Sequence, residues 1–126
     1  MFTTTQPFSS FSVDDVPAAL AFYRDVLGFD VEEMPEMGLD VRLGGDAHIF
    51  IYPKDNHEPA SFTVLNIPVS NIDEAVDELN GKGVATKIYD DADLPTDRKG
   101  INRDLGPAIA WFLDPARNVI AVIEMD

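Results

Sequence analysis

The chain has 126 residues, 45% hydrophobic and 25% charged, which fits one soluble globular domain able to bury its own core. It has no cysteine, which excludes disulfides, thiolate metal sites and cysteine nucleophiles together. With 23 acidic residues against 9 Lys plus Arg, its formal net charge of −14 disfavours nucleic acid and anionic lipid and attracts cations.

Residues Phe8 to Val13 alternate as a strand should, and Asp15 then precedes a helical stripe of Val16, Ala19, Leu20, Tyr23, Val26 and Leu27. Asp15 is placed to cap the first turn, Pro17 falls where a missing N–H costs little, and Gly28 ends the helix. Short β-type segments follow at Asp30 to Glu33, Leu39 to Leu43 and His48 to Tyr52, the last two joined by a Gly44-Gly45-Asp46 turn. Lys54 to Pro59 is polar and reads as a connector in which His57 is solvated.

The same order is then written again. Val64 to Val69 predicts a strand, Asn71 a cap, Ile72, Ala75, Val76 and Leu79 a helical stripe, and Gly83 its end. Strands are expected at Val84 to Tyr89, Ala108 to Leu113 and Val119 to Glu124. The polar stretch from Asp90 to Gly106, punctuated by Pro95 and Gly100, predicts a long loop of the kind that often binds or covers a ligand. The pattern is therefore strand, helix and three strands, twice over. It predicts an α+β domain of two βαβββ modules, about 1–58 and about 59–126, with each module too small to cover both faces of its own sheet.

No apolar run reaches the roughly 18 residues of a membrane span. The opening MFTTTQPFSS lacks the pattern of a secretory leader, so a cytoplasmic protein with no membrane or nucleic-acid partner is expected.

The run from Val13 to Phe29, VDDVPAALAFYRDVLGF, resembles the opening motif of the vicinal oxygen chelate superfamily, which includes glyoxalases, bleomycin-resistance proteins and dioxygenases. Asp114-Pro115 with Asn118-Val119-Ile120 resembles its closing motif, with Arg117 standing where a glycine is usual. The resemblance covers nearly the whole chain. It implies a pseudo-twofold pair of modules curving a mixed sheet around a cleft, and it does not fix an activity. In metal-dependent members, His, Gln or Glu side chains on the first and last strands of each module converge on one divalent ion. The matching positions here are Phe8, Phe50, Val64 and Ala121, none of which offers an oxygen or nitrogen side-chain donor. A slip of one residue moves every side chain to the other face, and a slip of two brings in only Ser10, Asn66 or His48. Neither a metal nor any other cofactor is expected.

If those four positions face the cleft, alternation adds Ser10, Ser12, His48, Tyr52, Asn66, Val119 and Ile123. The expected ligand-binding set is Phe8, Ser10, His48, Phe50 and Tyr52 from the first module, with Val64, Asn66, Trp111 and Ala121 from the second. Such an aromatic and aliphatic lining with few polar groups suits a small molecule. His48 is the one cleft candidate of a residue type that exchanges protons near neutrality, a weak candidate base. The family position implies core packing for Tyr23, with its phenol reaching toward solvent or a backbone partner.

Three readings stay open. The first is a metal-free binding or sequestering protein resembling the bleomycin-resistance branch, a homodimer holding a cationic amphipathic compound. The second is a metal-independent lyase or isomerase using His48 or Asp93 as base. The third is a subunit whose cleft takes a peptide or another chain. The absence of a convergent acid, base and oxyanion donor favours binding over catalysis.

Overall fold

The computed structural model describes residues 6–125; residues 1–5, half of the stretch read for a leader, and residue 126 lie outside the described residues. The chain divides into two compact units, 1–59 and 60–126. Unit 1 runs β1 (Ser9–Val13), α1 (Val16–Leu20), a π-helical turn (Ala21–Val26), β2 (Asp30–Met34), β3 (Gly38–Gly44) and β4 (Ala47–Pro53). Unit 2 runs β5 (Thr63–Val69), α2 (Ile72–Gly81), β6 (Ile101–Asn102), β7 (Ile109–Leu113) and β8 (Val119–Glu124). Each holds one four-stranded mixed sheet, ordered β1-β4-β3-β2 and β5-β8-β7-β6. The first and last strands of each module pair in parallel and the other neighbours antiparallel.

Both helices start where their caps predict. Asp15 accepts a hydrogen bond from the Ala18 amide at 3.0 Å, and Asn71 accepts from Glu74 at 3.1 Å. Glu124 at the end of β8 also accepts from the Ile72 amide at 2.9 Å, placing a carboxylate at the positive end of α2. The first helix departs from strict helical spacing after Leu20 and widens into the π turn. That turn holds the consecutive Phe22 and Tyr23 on the buried side together. Tyr23 is fully buried, its ring 5.3 Å from Phe22 edge-on and 6.2 Å from Phe11.

One face of each sheet lies in the core. In unit 1 that face is Val13, Leu39, Val41, Ile49 and Ile51, buried with Ala19, Phe22 and Tyr23 of the helix. In unit 2 it is Leu65, Ala110, Phe112, Ile120 and Val122, buried with Ile72, Val76 and Leu79 of α2.

The second module differs from expectation after its helix, because Val84 to Tyr89 is not a strand. Its polar backbone is satisfied by side chains instead. Asn80 Nδ2 donates to the Val84 carbonyl at 2.9 Å and to Thr86 Oγ1 at 3.0 Å, and Thr86 Oγ1 donates to the Lys99 carbonyl at 2.6 Å. Gly100 is what permits this approach: at φ +87° and with a would-be Cβ 2.0 Å from the Thr86 carbonyl oxygen, no other residue fits. The ladder position beside β7 goes to the two-residue β6, inside the stretch read as loop, where Ile101 and Asn102 are both buried.

The turn entering β8 explains the unusual Arg117. Arg117 has φ +70°, the left-handed conformation that a glycine adopts without strain. The turn is held regardless by buried Asp114, which accepts from the Asn118 amide at 2.8 Å and from Asn118 Nδ2 at 3.0 Å. Arg117→Gly should raise stability by about 0.5–1 kcal/mol, the relief of left-handed strain less the entropy of a freer unfolded chain. A urea midpoint measures it, and a lowered midpoint would contradict the strain argument.

Candidate functional site

On the other face of the unit 1 sheet the register brings together what alternation predicted. Ser10 lies beside Phe50 and Ser12 beside Tyr52 across β1 and β4, while Asp40 lies beside Phe50 and Arg42 beside His48 across β3 and β4. This face carries a groove of about 350 Å³ lined by Phe8, Met34, Met37, Asp40, His48 and Phe50. Two of its apolar members are open to solvent, Phe8 55% and Met37 58% exposed, while Met34 and Phe50 are half-buried.

Two methionines reach the groove because of one tight approach. The turn between β2 and β3 is closed by the Met37 amide donating to the Met34 carbonyl at 2.9 Å, with Glu36 at φ +67°. Gly38 then starts β3 directly against β4, where a Cβ would lie 2.1 Å from the Ile51 carbonyl oxygen. Any larger residue there would push the turn, and Met34 and Met37 with it, away from Phe50.

The polar part of the groove is an acid–imidazole pair. His48 Nδ1 lies 2.6 Å from Asp40 Oδ1, and the Phe8 ring stacks on the imidazole with centroids 4.8 Å apart and planes 29° apart. Arg42 Nε stands 3.7 Å from Asp40 Oδ2, and Arg42 Nη2 donates to Glu32 at 3.3 Å. Asp40, Met34 and Met37 were not among the residues expected from sequence. An acid alternating with Leu39 and Val41 was the available signal for Asp40, but only the β3–β4 register shows which histidine it meets.

The remaining expected residues lie elsewhere. Ser10 and Tyr52 share the groove's face of the sheet without lining the groove. His57, expected to be solvated, is half-buried with Nδ1 2.6 Å from Ser12 Oγ. Val64 falls in a bulge of the β5–β8 ladder, and Asn66 is exposed beside Ala121. Trp111 and Ala121 belong to a core cluster of unit 2 instead of an open surface, only 8% and 0% exposed.

That cluster is covered by the segment that failed to form a strand together with the start of the loop after it. Ile88, Tyr89 and Leu94 pack against Trp111, Val119 and Ala121, and Tyr89 meets Trp111 edge-on at 5.4 Å. Trp111 Nε1 donates to Thr63 Oγ1 at 3.2 Å. The far end of the segment is tied to α2 by Lys99, 2.9 Å from Asp77 and 3.2 Å from Asp73, and by Arg103, 3.1 Å from Asp73. Lys99 and Arg103 hold the Asp73 carboxyl below the usual carboxylate range, and Asp77 and Asp73 hold Lys99 above the usual lysine range.

The model of the Glyoxalase/Bleomycin resistance protein/Dioxygenase superfamily matches residues 6–122. The chain belongs to this superfamily. Among curated proteins no sequence matches it. Solved structures show the same fold. TnmS3, an antibiotic binding protein from Streptomyces sp. CB03234, is 24% identical with a TM-score of 0.72, over 99% of this chain and 100% of that one. A superfamily member from Sphaerobacter thermophilus DSM 20745 is 24% identical with a TM-score of 0.73, over 97% and 98%. The fosfomycin resistance protein FosX from Listeria monocytogenes is 12% identical with a TM-score of 0.72, over 99% and 96%.

The ion of the superfamily's metal-dependent members does not fit this chain. Phe8, Phe50, Val64 and Ala121 provide hydrocarbon where oxygen or nitrogen donors are needed. Among the described residues no three His, Cys, Asp or Glu side chains are grouped to hold a metal. Among the described residues no helix is long and apolar enough to cross a membrane. Added Ni, Zn, Fe or Mn should leave the melting temperature unchanged, whereas a true site would add about 2.7 kcal/mol at a hundredfold excess over Kd. One tightly bound equivalent per chain by elemental analysis would overturn this reading.

Proposed function

We propose that the chain is a metal-independent small-molecule-binding protein whose groove in unit 1 takes a flat, amphipathic, cationic compound. The observation that carries this reading is the groove's composition: Phe8, Phe50, Met34 and Met37 form its walls, and Asp40 with His48 supplies its polar part. Aromatic faces suit a flat ligand, and the unbranched thioethers of methionine adapt to its outline. Apolar burial supplies affinity at roughly 25 cal/mol per Å² before the costs of association, but it does not distinguish cations from anions. The charge of −14 does, by concentrating cations near the surface. An aromatic face meeting the positive group adds about 0.5–2 kcal/mol. Kinship of fold with an antibiotic binding protein supports sequestration as the role. We further propose a cytoplasmic homodimer, since two-fold pairing is the commonest assembly and the half-exposed Phe8 and Met37 are apolar surface that a second copy would cover in part.

Proflavine, a planar cation, should bind saturably by fluorescence, and anionic anilinonaphthalene sulfonate should bind more weakly. Phe50→Ala should weaken proflavine by about tenfold or more, the loss of one buried aromatic contact. Raising salt from about 0.05 to 0.5 M should slow association, as the Debye length falls from roughly 14 to 4 Å. Tighter binding of the anion, with no salt dependence, would remove the cation from the proposal. Light scattering should give about twice the 13.9 kDa of one chain, and a clean monomer at micromolar concentration would remove the dimer.

A further inference from the structure

We propose that Asp40 and His48 form an acid–base dyad that exchanges protons with a carbon acid held in the groove, an activity beyond sequestration. The inference rests on the reading that the groove holds flat small molecules.

An ionised carboxylate can only accept, so the 2.6 Å contact with Asp40 Oδ1 places the proton of neutral His48 on Nδ1. The basic lone pair is then on Nε2. Among the described residues no buried side-chain nitrogen or oxygen lacks a partner, and the hydrogen bond of His48 is the one to Asp40. Nε2 is therefore open to solvent-accessible space. The ring cannot turn freely, because Phe8 stacks on it and Asp40 holds its inner edge. Asp40 is itself braced by Arg42, 3.7 Å away. An oriented imidazole with a carboxylate behind it is the arrangement in which an imidazolium, once formed, is stabilised where it stands. Here it borders an apolar groove large enough for a bicyclic molecule.

The fitting substrate class is a flat aromatic ketone, neutral or cationic, with an acidic C–H beside its carbonyl. The α C–H bond breaks as the Nε2–H bond forms. The electron pair shifts into the C–C bond, and the carbonyl π pair moves to oxygen as an enolate. Returning the proton to carbon gives isotope exchange, and returning it to another position gives the tautomer. No oxidant, reductant or co-reactant is consumed. His48 is the catalytic residue and Asp40 a positioning residue.

The test uses 2-indanone in deuterated buffer, with exchange followed by proton NMR on the full chain. The wild type should exchange its methylene protons with saturable kinetics, faster than equimolar free imidazole, and proflavine should inhibit it. His48→Gln should lose at least about tenfold of that rate, a conservative share of what a placed base contributes. Asp40→Ala should lower the rate too, and nitrogen-15 NMR should show its imidazole proton moved from Nδ1 to Nε2. The tautomer shift separates positioning from a merely structural role, and it is readable even where His48→Gln does not fold. Wild type that binds proflavine yet exchanges no faster than imidazole would overturn the dyad and leave the binding reading intact. Full exchange in His48→Gln, or an unmoved tautomer in Asp40→Ala, would also overturn it. Failure to bind either proflavine or 2-indanone would remove both readings together.

Discussion

Each unit of this protein has four strands and one helical segment, and a helical segment covers one face of a sheet. The uncovered face is the constraint from which the rest follows. In unit 2 the chain solves it internally: the segment after α2 gives up its strand and lays Ile88, Tyr89 and Leu94 over Trp111, Val119 and Ala121. In unit 1 the corresponding face carries His48 and Phe50 of β4, with Phe8 just before β1, and among the described residues it is left as an open groove. One repeat has thus spent its second face on stability, and the other has kept it as surface.

Retaining that surface has a chemical cost, because an exposed apolar face is unfavourably hydrated and favours aggregation. Asp40 and His48 interrupt it with a polar pair joined through Nδ1, and Arg42 and Glu32 continue the charged row toward the edge of the sheet. Among the described residues that line the groove, the same pair supplies the directional chemistry. Gly38 sets the groove's width from the other side, since the close approach of β3 to β4 decides where the two methionines stand.

Much of this was legible in the sequence, and the reason is periodicity. A period of two put Phe8, Ser10, His48, Phe50 and Tyr52 on one face, and caps at Asp15 and Asn71 located both helices. What escaped depended on contacts between distant positions. The partner of His48 is set by antiparallel register, which no local window contains. Val84 to Tyr89 alternates like a strand but is taken out of the ladder by Asn80 and Thr86 side chains, and β6 is too short to show a period. Trp111 was read as a cleft candidate with core packing equally open; what decides for the core is a cover by Ile88 and Tyr89, read as a strand, and Leu94, read as loop.

Trp111 is the protein's single tryptophan, and it sits under the segment that closes unit 2. Tryptophan emission, excited to the red of the tyrosine band, is therefore an optical gauge of that cover. Its indole is dry, hydrogen-bonded through Nε1 to Thr63 and edge-on to Tyr89. Lifting Tyr89 would wet the ring and shift its spectrum to the red. Filling the groove in unit 1 puts no ligand against an indole of that unit, since it contains none. The half that holds the groove carries no indole, only the phenols of Tyr23 and Tyr52.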